Sequence, residues 1–316
     1  MKSGFASIIG RPNAGKSTLL NALTGEKIAI VTPKPQTTRN RITGIVNVKR
    51  QGKRPAAQIV LLDTPGVHKS ADKLTRRMMQ EVSDALNGCD LILYIVDADE
   101  ISTKDEQFTL DLVKQQKTPT FLLLNKVDRV DKQKLLPMIE SWSQRYNFAE
   151  IIPISAYKKE GLDTLLDAVA RALPEGPKYF PEDQITDQPM RFIAAELIRE
   201  ALLLETQQEV PYSTSVLVDN FEEDERLTRI AATIFCERTG QKAIIIGKQG
   251  SMLKAIGTRA RKSIERLTGN KVFLELFVKV KANWRESADF VDQSIDWKKQ
   301  LESIGAPKDK HERKKK

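Results

Sequence analysis

The chain has 316 residues, 40% hydrophobic and 29% charged, a balance that excludes fibrous and disordered classes and leaves room for two ordinary domains. Its longest apolar runs are strand-sized, well short of the roughly 20 residues that cross a bilayer, and no apolar leader segment follows Met1, so a cytoplasmic protein is expected. The net charge of +9 favours a polyanionic partner, while the two cysteines, Cys89 and Cys236, lie too far apart in sequence to form a metal or redox motif.

From residue 4 to about residue 173, short apolar strands alternate with amphipathic helices, which predicts an α/β unit with a mostly parallel sheet covered on both faces. The first strand, Phe5 to Gly10, runs into Gly10-Arg11-Pro12-Asn13-Ala14-Gly15-Lys16-Ser17, with a helix over Thr18 to Leu23 next. This is the G-x-x-x-x-G-K-[ST] pattern in its strand-loop-helix setting. Glycines let main-chain N–H groups close around phosphates at a helix N-terminus. Lys16 is expected to neutralise the β and γ oxygens and the Ser17 hydroxyl to ligate Mg2+, with Gly10, Asn13, Ala14, Gly15 and Thr18 completing the nucleotide cradle.

Next comes the polar segment Thr32-Pro33-Lys34-Pro35-Gln36-Thr37-Thr38-Arg39. A threonine here can ligate Mg2+ and sense a γ-phosphate, and Thr38 is the candidate, with Thr37 as the alternative and a plain surface loop as the competing reading. Strands over Gly44 to Val48 and Gln58 to Leu62 follow, and the second delivers Asp63-Thr64-Pro65-Gly66 to the same crevice. Asp63 suits a Mg2+ water ligand and the Gly66 amide can meet the γ-phosphate, so Lys16, Thr38 and Gly66 are the candidate catalytic groups. Val67-His68 stands where Ras-like enzymes carry a water-orienting glutamine. Val67 cannot orient water, which predicts slow intrinsic hydrolysis completed by another group. His68 reads as a base or, more simply, as an exposed loop histidine.

Strands over Leu91 to Asp97 and Thr120 to Asn125 lead to Asn125-Lys126-Val127-Asp128, and Ile151 to Ser155 to Ser155-Ala156. The Asp128 carboxylate matches the N1–H and exocyclic amine of guanine, a donor pair that adenine lacks, so GTP is favoured over ATP. Ser155 and Ala156 offer an amide to guanine O6. The four elements in this order resemble the translation-factor-like class of small GTPases. In relatives of that class lacking the glutamine, the asparagine matching Asn13 helps to hold K+, which makes K+ a second candidate ion.

Residues 174–189 carry Pro174, Pro177, Pro181 and Pro189 and read as a linker. An apolar-periodic helix over Met190 to Glu205 opens a second, α+β unit spanning 190–285, with strands over Ser213 to Asn220 and Thr228 to Glu237. The run Ala243 to Ile246 reads as a further strand ahead of Gly247-Lys248-Gln249-Gly250, followed by a helix to about Leu267 and a strand over Val272 to Val280. The order resembles a type II KH domain, in which the G-x-x-G loop lets backbone approach single-stranded RNA. That implies RNA contacts from Gly247, Lys248, Gln249 and Gly250, with Arg259, Arg261 and Lys262 adding charge or forming a solvated face. Residues 286–316 read as a C-terminal helix and a basic tail, solvated or touching RNA or an acidic membrane surface.

A P-loop GTPase unit with the Pro35-Gln36-Thr37-Thr38-Arg39 segment and a C-terminal KH unit resembles the bacterial Era GTPase family over nearly the whole chain. The resemblance implies a GTPase that binds near the 3′ end of 16S ribosomal RNA, acts in 30S subunit assembly and has some association with the inner membrane face; a monomer with no DNA partner is expected. Two other readings are an RNA-binding module with a vestigial nucleotide site and a tRNA-modification GTPase. Intact Lys16, Ser17, Asp63 and Asp128 oppose the first, and the lack of a second catalytic domain opposes the other.

Overall fold

The computed structural model describes residues 1–67, 72–100, 104–207 and 210–295. The first part is a six-stranded sheet of order β2-β3-β1-β4-β5-β6, from β1 (Lys2–Ile9), β2 (Ile42–Val48), β3 (Ala57–Asp63), β4 (Leu91–Asp97), β5 (Thr120–Asn125) and β6 (Glu150–Pro153). All neighbours pair in parallel except β2 with β3. Every residue of β3, β4 and β5 is buried, as their unbroken apolar runs require of strands covered on two faces. The helices α1 (Lys16–Thr24), α2 (Lys73–Asn87), α3 (Lys104–Lys114), α4 (Leu135–Ser143) and α5 (Leu162–Ala172) provide that cover. In α2 the helical spacing of Leu74, Met78, Val82 and Ala85 puts all four on the buried side. Because β1 lies between β3 and β4, the carboxyl ends of these strands open a crevice where the connections diverge, the position at which α/β sheets bind ligands.

The second part is a three-stranded sheet, β7 (Thr214–Glu223), β8 (Leu227–Cys236) and β9 (Lys271–Val280), with β8 central, antiparallel to β7 and parallel to β9. Helices α6 (Met190–Glu205), α7 (Thr239–Ile246) and α8 (Ser251–Thr268) share its core through Ile198, Ile245, Ile256, Ala260 and Ile264. The segment Ala243 to Ile246 is thus the last turn of α7 and not a strand, which corrects the sequence expectation. Its isoleucines favour strands by propensity, but the helix starts four residues earlier. There the Gln241 side chain caps it by accepting from the Glu237 and Arg238 amides at 2.9 and 3.0 Å, and only Ile245 of the three isoleucines is buried.

Residues 174–189 do more than connect. Gln58, fully buried on β3, accepts from the Tyr179 and Phe180 amides at 2.7 and 3.0 Å and donates to the Phe180 carbonyl at 2.8 Å. The Ile45 amide donates to the Ile185 carbonyl, and Thr186 to the Thr43 carbonyl, so the segment covers the exposed edge of β2. Gln58→Ala is expected to lower stability by about 2 kcal/mol, since three part-buried main-chain groups lose their partner. A denaturant midpoint equal to wild type would show the strap to be dispensable.

A helix α9 (Ala288–Ile295) returns to α2: Phe290, Val291 and Ile295 pack with Leu74, Met78 and the fully buried Trp284. The basic tail 308–316 and His68 lie outside the described residues. Both cysteines are free thiols, Cys236 buried and Cys89 partly so. Burial pushes the Cys89 thiol up to about 11 and raises that of Cys236 as well. At pH 8 roughly one Cys89 in a thousand is then a thiolate, so neither cysteine is expected to alkylate before unfolding, and mass spectrometry of native and denatured samples tests this.

Candidate functional site

The loop between β1 and α1 sits at the crevice, and its shape depends on Gly15. That residue has φ of +104°, and a Cβ there would stand 2.2 Å from the Asn125 amide nitrogen. The Lys16 ammonium folds back over the loop, donating to the carbonyls of Gly10 at 3.0 Å and Arg11 at 2.9 Å. Burial lowers its pKa to about 8, opposed by nearby Asp63. Ser17, at the first turn of α1, donates to Asp63 Oδ2 at 2.6 Å and lies 2.8 Å from Thr38 Oγ1. Three oxygens from three separate chain segments thus converge, and Thr38 rather than Thr37 is the threonine at that point.

Asp63 is fully buried, its pKa raised to about 6 by desolvation despite Lys16 and Ser17, and its Oδ1 has no hydrogen-bond partner among the described residues. A buried carboxylate oxygen left over beside two hydroxyls fits a hard cation. No group of three or more His, Cys, Asp or Glu able to hold a metal exists among the described residues. Such a sparse oxygen set is what Mg2+ uses when phosphates and water complete its octahedron. The crevice is a cleft of about 590 Å³ lined by Lys16, Ser17, Thr38, Gly66 and Lys126 among others. Gly66 borders Pro12 so closely that a Cβ would sit 2.8 Å from it. Val67 is fully buried in the core with Ile9 and Val82 and is turned away from the cleft.

A smaller cleft of about 130 Å³ continues toward β5 and β6, lined by Thr18, Asn125, Lys126, Asp128 and Ser155. Asn125 joins the two halves, donating to the Ala14 carbonyl at 2.8 Å and accepting from the Ala156 amide at 3.0 Å. The amide expected to meet guanine O6 is thus already engaged, and a base bound there has to share it. Ser155 holds Asp128 by a 2.6 Å bond while itself accepting from the Lys158 amide. Lys126, in the left-handed region at φ 66°, pairs with Asp97.

Asp97 and its pairing with Arg11 and Lys126 escaped the sequence reading. Arg11, second residue of the glycine-rich loop, is ion-paired with Glu106 at 2.9 Å, Asp97 at 3.8 Å and Glu100, and Tyr94 donates to Glu106 at 3.2 Å. The phosphate loop, the base loop and α3 are thereby locked together. The one available signal was an aspartate ending an apolar strand at the crevice, as Asp63 does.

The second candidate site is the loop between α7 and α8. Gly247 has φ 72°, and a Cβ on it would lie 2.7 Å from that of Met252, while Gln249 and Gly250 also have positive φ. The backbone therefore turns tightly at an exposed point, beside Ile244, which is 47% exposed on α7. Lys254, Thr258, Arg259 and Lys262 line an open groove along α8 with Glu205 of α6. Lys254 was missed from sequence. Arg259 is ion-paired with Glu205 at 2.6 Å, which leaves it less available to a phosphate than Lys262, and Arg261 is exposed but does not line the groove.

Residues 5–126 match a family described as 50S ribosome-binding GTPase, and residues 209–285 match the KH domain. Over 287 residues the chain is 52% identical to GTPase Era of Geobacter metallireducens, covering 90% of this chain and 94% of that one. The chain belongs to the Era family of GTPases. GTPase Era of Staphylococcus haemolyticus is 47% identical over 92% of this chain and 96% of its own length. Two solved Era structures superpose with a TM-score of 0.88 at 38% identity over 93% of this chain, covering 98% and 99% of theirs. One is Era with MgGDPNP and nucleotides 1506–1542 of 16S ribosomal RNA, and the other is a variant of Aquifex aeolicus Era bound to GDP·AlF4−. Membership makes the chain a GTPase with a KH unit, and the matches to Era take in both parts. No helix of the described residues is long and apolar enough to cross a membrane.

Proposed function

We propose that this chain is a GTP-hydrolysing switch that binds the 3′-terminal region of 16S ribosomal RNA through its KH unit and assists 30S subunit assembly. The observation that carries the reading is the convergence of Ser17, Asp63 and Thr38 within hydrogen-bond distance, which joins the phosphate loop to a switch segment. The units are assigned as 1–173 for nucleotide, 174–189 as the strap, 190–285 for RNA and 286–316 as the C-terminal extension. In the nucleotide unit Gly10, Asn13, Ala14, Gly15, Lys16, Ser17 and Thr18 cradle the phosphates, while Asn125, Lys126, Asp128, Ser155 and Ala156 take the base. Ser17, Thr38 and Asp63 would hold Mg2+, which supplies charge neutralisation on the β and γ oxygens. Lys16 neutralises the same oxygens from within the loop, the Gly66 amide lies at the γ-phosphate end, and Thr38 moves with the switch segment. RNA backbone passes the Gly247-Lys248-Gln249-Gly250 turn, with bases toward exposed Ile244 and Lys262 on a phosphate. The protein acts in the cytosol as a monomer, and any weak hold on an acidic membrane belongs to the tail outside the described residues.

A duplex-free RNA oligonucleotide of the 16S 3′ end should bind the GTP-loaded protein at submicromolar concentration and lose affinity in Lys248→Ala. Failure of the wild type to prefer it over a scrambled RNA would overturn the RNA assignment. The Asn13 side-chain amide reaches the Pro33 carbonyl at 2.9 Å, so this residue spans from phosphate loop to switch segment where a monovalent cation can bridge them. Turnover in K+ is expected to exceed turnover in Na+ by about tenfold, less than the roughly 10³–10⁵ that an arginine finger supplies at the transition state. Equal rates would dismiss the K+ role.

A further inference from the structure

We propose that helix α6 of the RNA-binding unit completes the GTPase site in cis, with Arg199 as the positioning residue for Thr38 and Glu200 as its support. The proposal rests on the reading of Thr38 as a metal ligand. Arg199 is 2% exposed and donates from Nη2 to the Thr37 carbonyl. That carbonyl shares its peptide plane with the nitrogen of Thr38, so fixing it fixes the direction from which the Thr38 side chain leaves the backbone. The guanidinium is itself immobilised by a two-point pairing with Glu196 on α6, at 2.8 and 2.6 Å.

Neighbouring contacts hold the same segment to the same helix. Glu200 accepts from the Val31 amide at 2.9 Å and pairs with Lys27 at 2.5 Å. Lys34 donates to the carbonyls of Leu203 and Thr206, where the last turn of α6 presents unpaired acceptors and the negative end of its dipole. Arg39 then enters the second unit, donating to the Thr214 carbonyl at 2.6 Å and the Tyr212 carbonyl at 3.3 Å, 5.7 Å above the ring of Trp284. The residues on either side of the metal-facing hydroxyl are therefore held by the RNA-binding unit. The segment's internal bonds, such as Thr37 Oγ1 to the Lys34 carbonyl at 2.6 Å, shape its turn.

A purely structural interface would be better served by apolar side chains. Arg39 and Arg199 are both buried and repel one another, and desolvation disfavours the charge on Arg39. Buried ion pairs often add nothing to stability over well-packed hydrocarbon. What hydrocarbon cannot do is donate to a carbonyl, and the Thr37 carbonyl is the one that aims Thr38.

The test uses the full-length protein and a double-mutant cycle. Arg199→Met is combined with Glu196→Gln so that no carboxylate is left buried and unpaired, and this pair is also placed in a Thr38→Ala background. The expected result is a fall of about tenfold in kcat, within the usual size of coupling between sites, with GDP affinity unchanged. Arg199→Lys, which can still donate to the Thr37 carbonyl, should restore part of the rate, and the E196Q/R199M pair should cost nothing further once Thr38 is alanine. A wild-type kcat in E196Q/R199M, equal fractional losses with and without Thr38, or GDP affinity falling in step with kcat would each overturn the proposal. Thr38→Ala with wild-type kcat would instead remove the metal-site reading on which it rests.

Discussion

Lys16→Ala is expected to weaken GTP and GDP binding by about a thousandfold, leaving no saturation at micromolar nucleotide in a calorimetric titration. Lys16 is 5% exposed in the cleft, with the Gly10 and Arg11 carbonyls 3.0 and 2.9 Å from its ammonium. Two charge-assisted bonds to phosphate oxygens at such a site are each worth about 2 kcal/mol, and about 4 kcal/mol is three orders of magnitude in Kd. The ligand-free protein should behave oppositely. Burial holds the folded-state pKa of Lys16 near 8 against 10.5 for the exposed side chain. The unfolded chain therefore binds more protons between these values, and this group makes the ligand-free protein more stable as pH rises from about 8 to 10.5. K16A should lose that rise, and below pH 8 it should melt no lower than wild type. A variant that melts much lower without nucleotide would mean that Lys16 serves folding rather than phosphate.

How much of this was legible in the sequence follows from the range of each interaction. The phosphate loop, Asp63 and the base loop each follow a strand closely, so local pattern placed them, and the topology then brings Ser17 to Asp63 across 46 residues. Thr38 over Thr37 needed the structure, because two adjacent threonines in a loop have no periodicity to separate them. Arg11 was hidden inside the motif as a variable position, although Glu106, Asp97 and Tyr94 make it the bolt between α3 and the two nucleotide loops. The run Ala243 to Ile246 misled because three isoleucines favour a strand by propensity, whereas the cap at Arg238 and the packing of Ile245 decided for a helix. The grip of Arg199 on Thr37 spans 162 residues and links two units that the sequence separates by a proline-rich segment. No single-chain pattern reports such a contact, yet it lies next to Thr38, the residue proposed to hold the metal.

Asp128→Asn should raise the Kd for GDP by two to three orders of magnitude and move the preference toward xanthosine diphosphate. A carboxylate accepts from both the N1–H and the exocyclic amine of guanine, whereas an asparagine turns one acceptor into a donor facing that amine. Each bond to a charged acceptor is worth about 1.5–3 kcal/mol, and a polar group left opposed in a site costs more than one merely lost. Xanthine carries a carbonyl oxygen where guanine carries the amine, so the asparagine NH2 gains a partner there. The substitution should spare the fold, since Asp128 is exposed and the Ser155 hydroxyl that bonds it at 2.6 Å can donate equally to an amide oxygen. Ser155→Ala should then show a smaller loss of guanine affinity, about tenfold, because it frees the carboxylate from its seat without changing its chemistry. Competition of both diphosphates against a fluorescent guanine nucleotide measures the outcome. An unchanged ratio of GDP to xanthosine diphosphate affinity would place base recognition elsewhere than at Asp128, and with it the whole second half of the cleft.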